Sequence, residues 1–155
     1  MLVAVGGTFD PIHDGHHRLL KKALEIGRDG VVVGLTSEEL APKTRNISRE
    51  IRGFEDRRQN LLDEMEKLDE WNRKFEVRKL NHPHGVASED SRFDALVVSP
   101  ETREGGEKIN ELRRERGFEP LKIVEVPHIL AEDGEPISST RIWRGEIDQH
   151  GNLTN

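Results

Sequence analysis

Residues 2–16 read Leu2-Val3-Ala4-Val5-Gly6-Gly7-Thr8-Phe9-Asp10-Pro11-Ile12-His13-Asp14-Gly15-His16. A short apolar run that stops at a glycine pair predicts a buried strand. Beyond it Leu19, Leu20, Ala23, Leu24 and Ile26 make a stripe at helical spacing, so the stretch is a strand, a glycine-rich turn and the start of a helix. In an open α/β sheet such a turn lies at the carboxyl edge, where ligands bind. Gly6 and Gly7 let the backbone approach a ligand closely, and the free N–H groups of the helix start favour phosphate. The Gly-Lys-Ser/Thr ending of a Walker loop and the third glycine of a dinucleotide fingerprint are both missing. The distinctive feature is instead the pair His13 and His16, three residues apart and so projecting in similar directions, where imidazole N–H groups can donate to phosphoryl oxygens. The pair alone leaves other readings open: Asp14 as a simple N-cap, or His13 with a second histidine on a metal.

Working outward, Val31 to Leu35 and Ala95 to Val98 are further short, β-branched runs of the buried-strand kind, and Phe75 to Leu80 and Leu121 to Val126 alternate as strands nearer a sheet edge do. Leu61, Leu62, Met65 and Leu68 give a second helical stripe, which Trp71 continues, and a charged helical pattern from Glu104 to Arg116 stops at Gly117. Strands alternating with helices predict an α/β fold: one doubly wound, mainly parallel five-stranded sheet with helices on both faces, a single domain over 1–155. The polar residues 146–155 are expected to fray or to form a modest surface extension.

Composition bounds the function. The 155 residues include 24 basic and 30 acidic side chains, a formal charge of −6, and no cysteine. Disulfides and thiolate metal sites are thereby excluded. The acidic balance argues against a general nucleic-acid binder, and no apolar run approaches the roughly 20 residues needed to cross a bilayer. The expectation is a soluble, cytoplasmic protein with no nucleic-acid or membrane partner. Against the overall −6, Lys43, Arg45, Arg49 and Arg52 face only Glu50 between residues 43 and 52, a local +3 that suits a small anionic ligand.

A second signature stands near the C-terminus, Ile137-Ser138-Ser139-Thr140-Arg141-Ile142. Ser138 or Ser139 is a good N-cap, which would cluster three hydroxyls and free backbone donors at another helix start, with Arg141 one turn inward. Taken together, Gly7-Thr8-Phe9-Asp10 with His13-Asp14-Gly15-His16 and Ile137-Ser138-Ser139-Thr140-Arg141 resemble the nucleotidyltransferase superfamily of HxGH and ISSTxxR type. Within that superfamily the chain most resembles the archaeal-type phosphopantetheine adenylyltransferases. The likeness covers nearly the whole chain and includes Val33 to Ser37, Asp94 to Thr102 and Ala131 to Gly134.

The resemblance implies a Rossmann-like fold and adenylyl transfer from ATP to 4′-phosphopantetheine, giving dephospho-coenzyme A and pyrophosphate. It implies that His16 and Lys43 serve the chemistry, and that Gly7, Thr8, Phe9, His13, His16, Ser138, Ser139, Thr140 and Arg141 meet ATP. Ser99 and Glu101, which follow the fourth strand at the carboxyl edge, suit contacts to ribose or adenine, and Ser99-Pro100 reads equally as a helix start. Thr8, Asp10 and Lys43 would meet the acceptor, and the local positive charge adds Arg52, with Arg57 a further candidate, from the residues alone. Mg²⁺ is expected to ride mainly on ATP phosphates, with no metal-ligating residues in the protein. The rivals are a nicotinamide-mononucleotide adenylyltransferase, a cytidylyltransferase, and a non-catalytic nucleotide-binding regulatory module. The Asn81 to Gly85 loop with His82 and His84 is assigned no chemistry, and Trp71 is expected in the core rather than on adenine.

Overall fold

The computed structural model describes residues 1–41 and 50–154. Along them run β1 (Leu2–Gly7), α1 (Asp14–Ile26), β2 (Gly30–Thr36), α2 (Phe54–Leu68), β3 (Phe75–Leu80), α3 (Gly85–Glu89), β4 (Ala95–Val98), α4 (Arg103–Glu115), β5 (Lys122–Glu125) and α5 (Ser139–Trp143). The five strands are parallel in the order β3-β2-β1-β4-β5. The order reverses direction between β1 and β4, so the connections leaving these strands diverge and open a crevice at the carboxyl edge.

The inner strands β1, β2 and β4 are apolar on both faces because both are covered. Val3, Val5, Val31, Val33, Leu35, Ala95 and Val97 meet Leu20 and Leu24 of α1 and Leu61 and Met65 of α2. Ala4, Val32, Leu96 and Val98 meet Ala87 of α3 and Ile109 of α4 on the other side. Burial of such side chains contributes about 1.5–3 kcal/mol each. Trp71 packs against the first cluster. The short α3 lies inside a stretch that reads as a loop, since five residues are too few to display a helical period.

The amino edge of the sheet is tied by Arg113, which has no exposed surface. Its guanidinium donates to the carbonyls of Glu119, Ala87 and Asp90 at 2.8 Å, of Phe93 at 3.3 Å and of Ser91 at 3.4 Å.

Residues 146–154 form an ordered surface extension anchored at Ile147 and Gly151, and are not frayed. Ile147 is 2% exposed and joins Ala131 and Ile137 in a small core of its own, bridges Leu153 in antiparallel fashion, and is followed by a turn in which Asp148 accepts from the backbone of His150 and Asn152. Gly151 closes the turn at φ 84°, where a Cβ would lie 2.8 Å from the Ala131 Cα, so only glycine suits the position. The backbone N–H of Asp14 donates to Gln149 O at 3.1 Å and Asp14 Oδ1 pairs with His150 Nδ1 at 2.9 Å. The returning chain thus clasps the start of α1. Among the described residues no helix is long and apolar enough to cross a membrane.

Candidate active site

Between β1 and α1 the chain turns sharply. Phe9 takes φ 50° and Asp10-Pro11 is cis. Phe9 is 1% exposed, and its ring meets the His16 ring at 4.9 Å between centroids. His13, rather than Asp14, caps α1: its Nδ1 accepts from Gly15 N at 3.0 Å, and the Nδ1 of His16 accepts from His13 N at 3.3 Å. This is a capping box built from two imidazoles. Nitrogens that accept cannot also carry a proton, so each ring is left with N–H at Nε2 as its donor. The rings stack at 3.9 Å between centroids with 22° between planes. Gly15 is required by their closeness, because a Cβ there would stand 2.8 Å from the His13 ring. Burial pushes His13 down from the ordinary 6.5 to about 4, the Asp14 carboxylate opposing and His17 reinforcing the shift, which keeps it neutral near pH 7.

The hydroxyl-rich turn lies against this loop. Ser139 Oγ donates to Pro11 O at 2.8 Å across 128 residues of chain, and Ser138 caps α5 by accepting from Arg141 N at 3.1 Å. Gly7, Thr8, Phe9, His13, His16, Ser138, Ser139 and Thr140 line one cleft of about 520 Å³, joined by Ser99, Glu101 and Thr102 from beyond β4. The volume is in the range of small-molecule sites.

Thr8 sits on a buried network beneath the cleft. Its Oγ1 lies 2.9 Å from Thr36 Oγ1. Arg57, with no exposed surface, donates through one terminal nitrogen to Thr8 O and Thr36 Oγ1, both at 3.3 Å, through the other to Thr36 O at 2.9 Å, and through Nε to Arg52 O at 2.7 Å. Burial lowers the pKa of this guanidinium, partly offset by the nearby Asp10 and Glu38 carboxylates.

A model of the cytidylyltransferase-like family matches residues 4–145. The chain belongs to the cytidylyltransferase-like family. Two curated phosphopantetheine adenylyltransferases resemble this family member over nearly their full length. That of Methanosarcina acetivorans is 49% identical across 97% of this chain and 94% of the relative. That of Archaeoglobus fulgidus is 41% identical across 99% of each. The crystal structure of an Archaeoglobus fulgidus protein of unknown function superimposes with a TM-score of 0.71 at 36% identity, covering 81% of this chain and 89% of that one.

Not every residue expected at the site of this cytidylyltransferase-like chain faces the cleft. Arg141 is absent from the lining; it pairs with Asp133 and with Glu146, the latter at 2.9 Å, and donates to Pro136 O at 3.2 Å. Asp10 and Arg52 satisfy one another: the Asp10 carboxylate accepts from Arg52 N and Nε at 2.8 Å and meets the terminal nitrogen at 2.7 Å. Lys43 lies outside the described residues. Neither tryptophan lines the cleft. Conversely, Thr36, His84 and His128, to which the sequence reading assigns no role, do line it. The Nδ1 of His84 is buried without a hydrogen-bond partner among the described residues. Position at the carboxyl end of β2 is the one signal that would have drawn attention to Thr36.

Proposed function

We propose that this chain transfers the adenylyl group of ATP to 4′-phosphopantetheine, giving dephospho-coenzyme A and pyrophosphate. The observation that carries the reading is the convergence of His13, His16 and Ser138 to Thr140 on one cleft, in a chain 41–49% identical to proteins curated with that activity. An oxygen of the acceptor phosphate attacks the α-phosphorus; that O–P bond forms as the bond to the β-bridging oxygen breaks, and the electron pair leaves with pyrophosphate. A phosphate monoester is already largely dianionic at pH 7, so no general base is needed. The protein's task is alignment and stabilisation of charge.

His16 would donate from Nε2 to the oxygens of the phosphorus under attack, with His13 beside it on the nucleotide. Thr8 and the Gly7 backbone would stand where the two substrates meet. Ser138 and Thr140 would hold distal phosphates, while Ser139, whose proton goes to Pro11 O, keeps the cradle closed and offers its backbone. Lys43 would reach the acceptor phosphate. Mg²⁺ bound to the triphosphate would neutralise its charge. Among the described residues no three carboxylate or imidazole groups gather into a metal cage, and the hydroxyl donors present fit phosphate oxygens, so ATP and water would hold the ion.

The test is pyrophosphate release from ATP with 4′-phosphopantetheine, with nicotinamide mononucleotide in parallel and CTP replacing ATP. Turnover with ATP and 4′-phosphopantetheine is expected. Turnover only with another pair, or nucleotide binding with no pyrophosphate from any acceptor, overturns the reading. His16→Ala should lower kcat by about 10²–10³, or about 3–4 kcal/mol, with its circular dichroism unchanged.

A further inference from the structure

We infer that His150 is a positioning residue for the nucleotide: it engages the Asp14 carboxylate from outside the cleft, so that His13 rather than Asp14 caps α1 and the two imidazoles keep their places on the cleft wall. This rests on the adenylyl-transfer reading for the identity of the nucleotide. The capping itself depends on which side chain reaches the first amides of α1.

Two neighbours compete for that role. Aspartate is among the strongest N-cap residues, and the sequence leaves Asp14 open as one. The structure puts Asp14 one position inside the helix instead, and the Gly15 N–H goes to His13 Nδ1 at 3.0 Å. Were Asp14 the cap, its carboxylate would take the amides of His16 or His17 and the helix would begin one residue later. The box joining Gly15 N to His13 and His13 N to His16 Nδ1 would be lost, and with it the stacked setting of the rings. His150 prevents this by occupying the competitor. An ionised carboxylate only accepts, so His150 Nδ1 donates to Asp14 Oδ1, at 2.9 Å. His17 approaches the same oxygen only to 3.8 Å, and its Nε2 lies 2.9 Å from Glu64. The Asp14 N–H is taken as well, by Gln149 O at 3.1 Å.

His150 is held where it can do this. Its own N–H donates to Asp148 Oδ1 at 2.9 Å in the turn that Gly151 closes, and Ile147 at the foot of that turn packs with Ala131 and Ile137. Ile137 directly precedes Ser138, the cap of α5, and Glu146 accepts from Arg141 Nε at 2.9 Å. The 146–154 segment therefore reaches from the hydroxyl-rich turn to the first turn of α1. Ser139 to Pro11 joins the two halves of the cradle on the inside, and His150 to Asp14 joins them on the outside. Neither Asp14 nor His150 lines the cleft, so both act on the nucleotide only through His13 and His16.

His150→Ala removes the partner and leaves Ile147 and Gly151 to anchor the segment. It should lower kcat/KM for ATP by about threefold to fivefold, the range open to a partly exposed pair, while KM for 4′-phosphopantetheine stays within about twofold. Asp14→Ala removes the competing carboxylate: alone it should stay within about twofold of wild type, and added to His150→Ala it should return most of the lost kcat/KM. A contact that merely braces the fold behaves in the opposite way, since deleting its second partner restores nothing. An NMR readout needs neither substrate: the nitrogen–nitrogen coupling across the hydrogen bond from Gly15 N to His13 Nδ1 should be present in wild type, weaker in His150→Ala and recovered in the double variant. Wild-type ATP kinetics in His150→Ala, a double variant no better than His150→Ala, or a coupling that His150→Ala leaves unchanged overturns the inference. If wild type releases no pyrophosphate with ATP and 4′-phosphopantetheine, the functional reading fails, while the coupling still decides which residue caps α1.

Discussion

Arg57 and Arg113 are both fully buried, both hydrogen-bonded chiefly to main-chain carbonyls, and both shifted below the ordinary arginine range by burial. They sit at opposite edges of one sheet. Arg113 gathers the carbonyls of five residues that precede β4 and β5 or end α3, and every one of its acceptors is backbone. Arg57 gathers the ends of β1 and β2 in the same way, but one of its acceptors is the Thr36 hydroxyl, which continues to Thr8 and the cleft. Carbonyl dipoles stabilise a buried guanidinium equally well at either edge. What separates the two arginines is where the last acceptor leads.

The largest expected effect is on stability. Arg113→Met leaves several carbonyls at the amino edge without a donor and should cost about 4 kcal/mol in urea unfolding, with kcat and KM of the folded fraction unchanged. Should kcat/KM fall as well, the two edges are not functionally distinct. Next comes acid. Above pH 6.5 His13 is neutral whether folded or unfolded. Between 6.5 and about 4 the unfolded chain takes up a proton that the folded chain refuses, so stability falls as pH drops through that window, by about 3 kcal/mol in total. His13→Asn, which can still accept from Gly15 N, should flatten this part of the pH profile, as chemical unfolding at pH 7 and pH 4.5 would reveal. The smallest effect concerns the clasp. Ile147→Ala should cost about 2 kcal/mol locally, seen as faster amide exchange at Asp14 and Ile137 with the exchange of β2 little changed.

How far the sequence is legible follows the same division between edges and interior. Val31 to Leu35 announces β2 because a strand covered on both faces must be apolar throughout, and all seven residues of β2 are buried. His13, Gly15 and His16 are legible as a site because their spacing at a strand-to-helix turn has a chemical use, although the capping role of both imidazoles is a matter of backbone geometry that spacing does not contain. Arg57 is read as a candidate for the anionic ligand from charge alone. The structure spends its donors on carbonyls, and nothing in a count of charges tells a carbonyl-bound guanidinium from a free one. Ile147 escapes notice because one apolar residue among polar ones has no period. Its burial depends on Ala131 and Ile137, brought near by the fold.

The bond from Ser139 to Pro11 has a consequence for the order in which the protein comes into being. During synthesis the strand, turn and first helix leave the ribosome long before the hydroxyl-bearing turn exists. Contacts so distant in sequence are among the last to form. A nascent chain can therefore complete most of its sheet while the cleft stays open on one side, closing only once the hydroxyl-bearing turn has emerged and docked on the loop after β1.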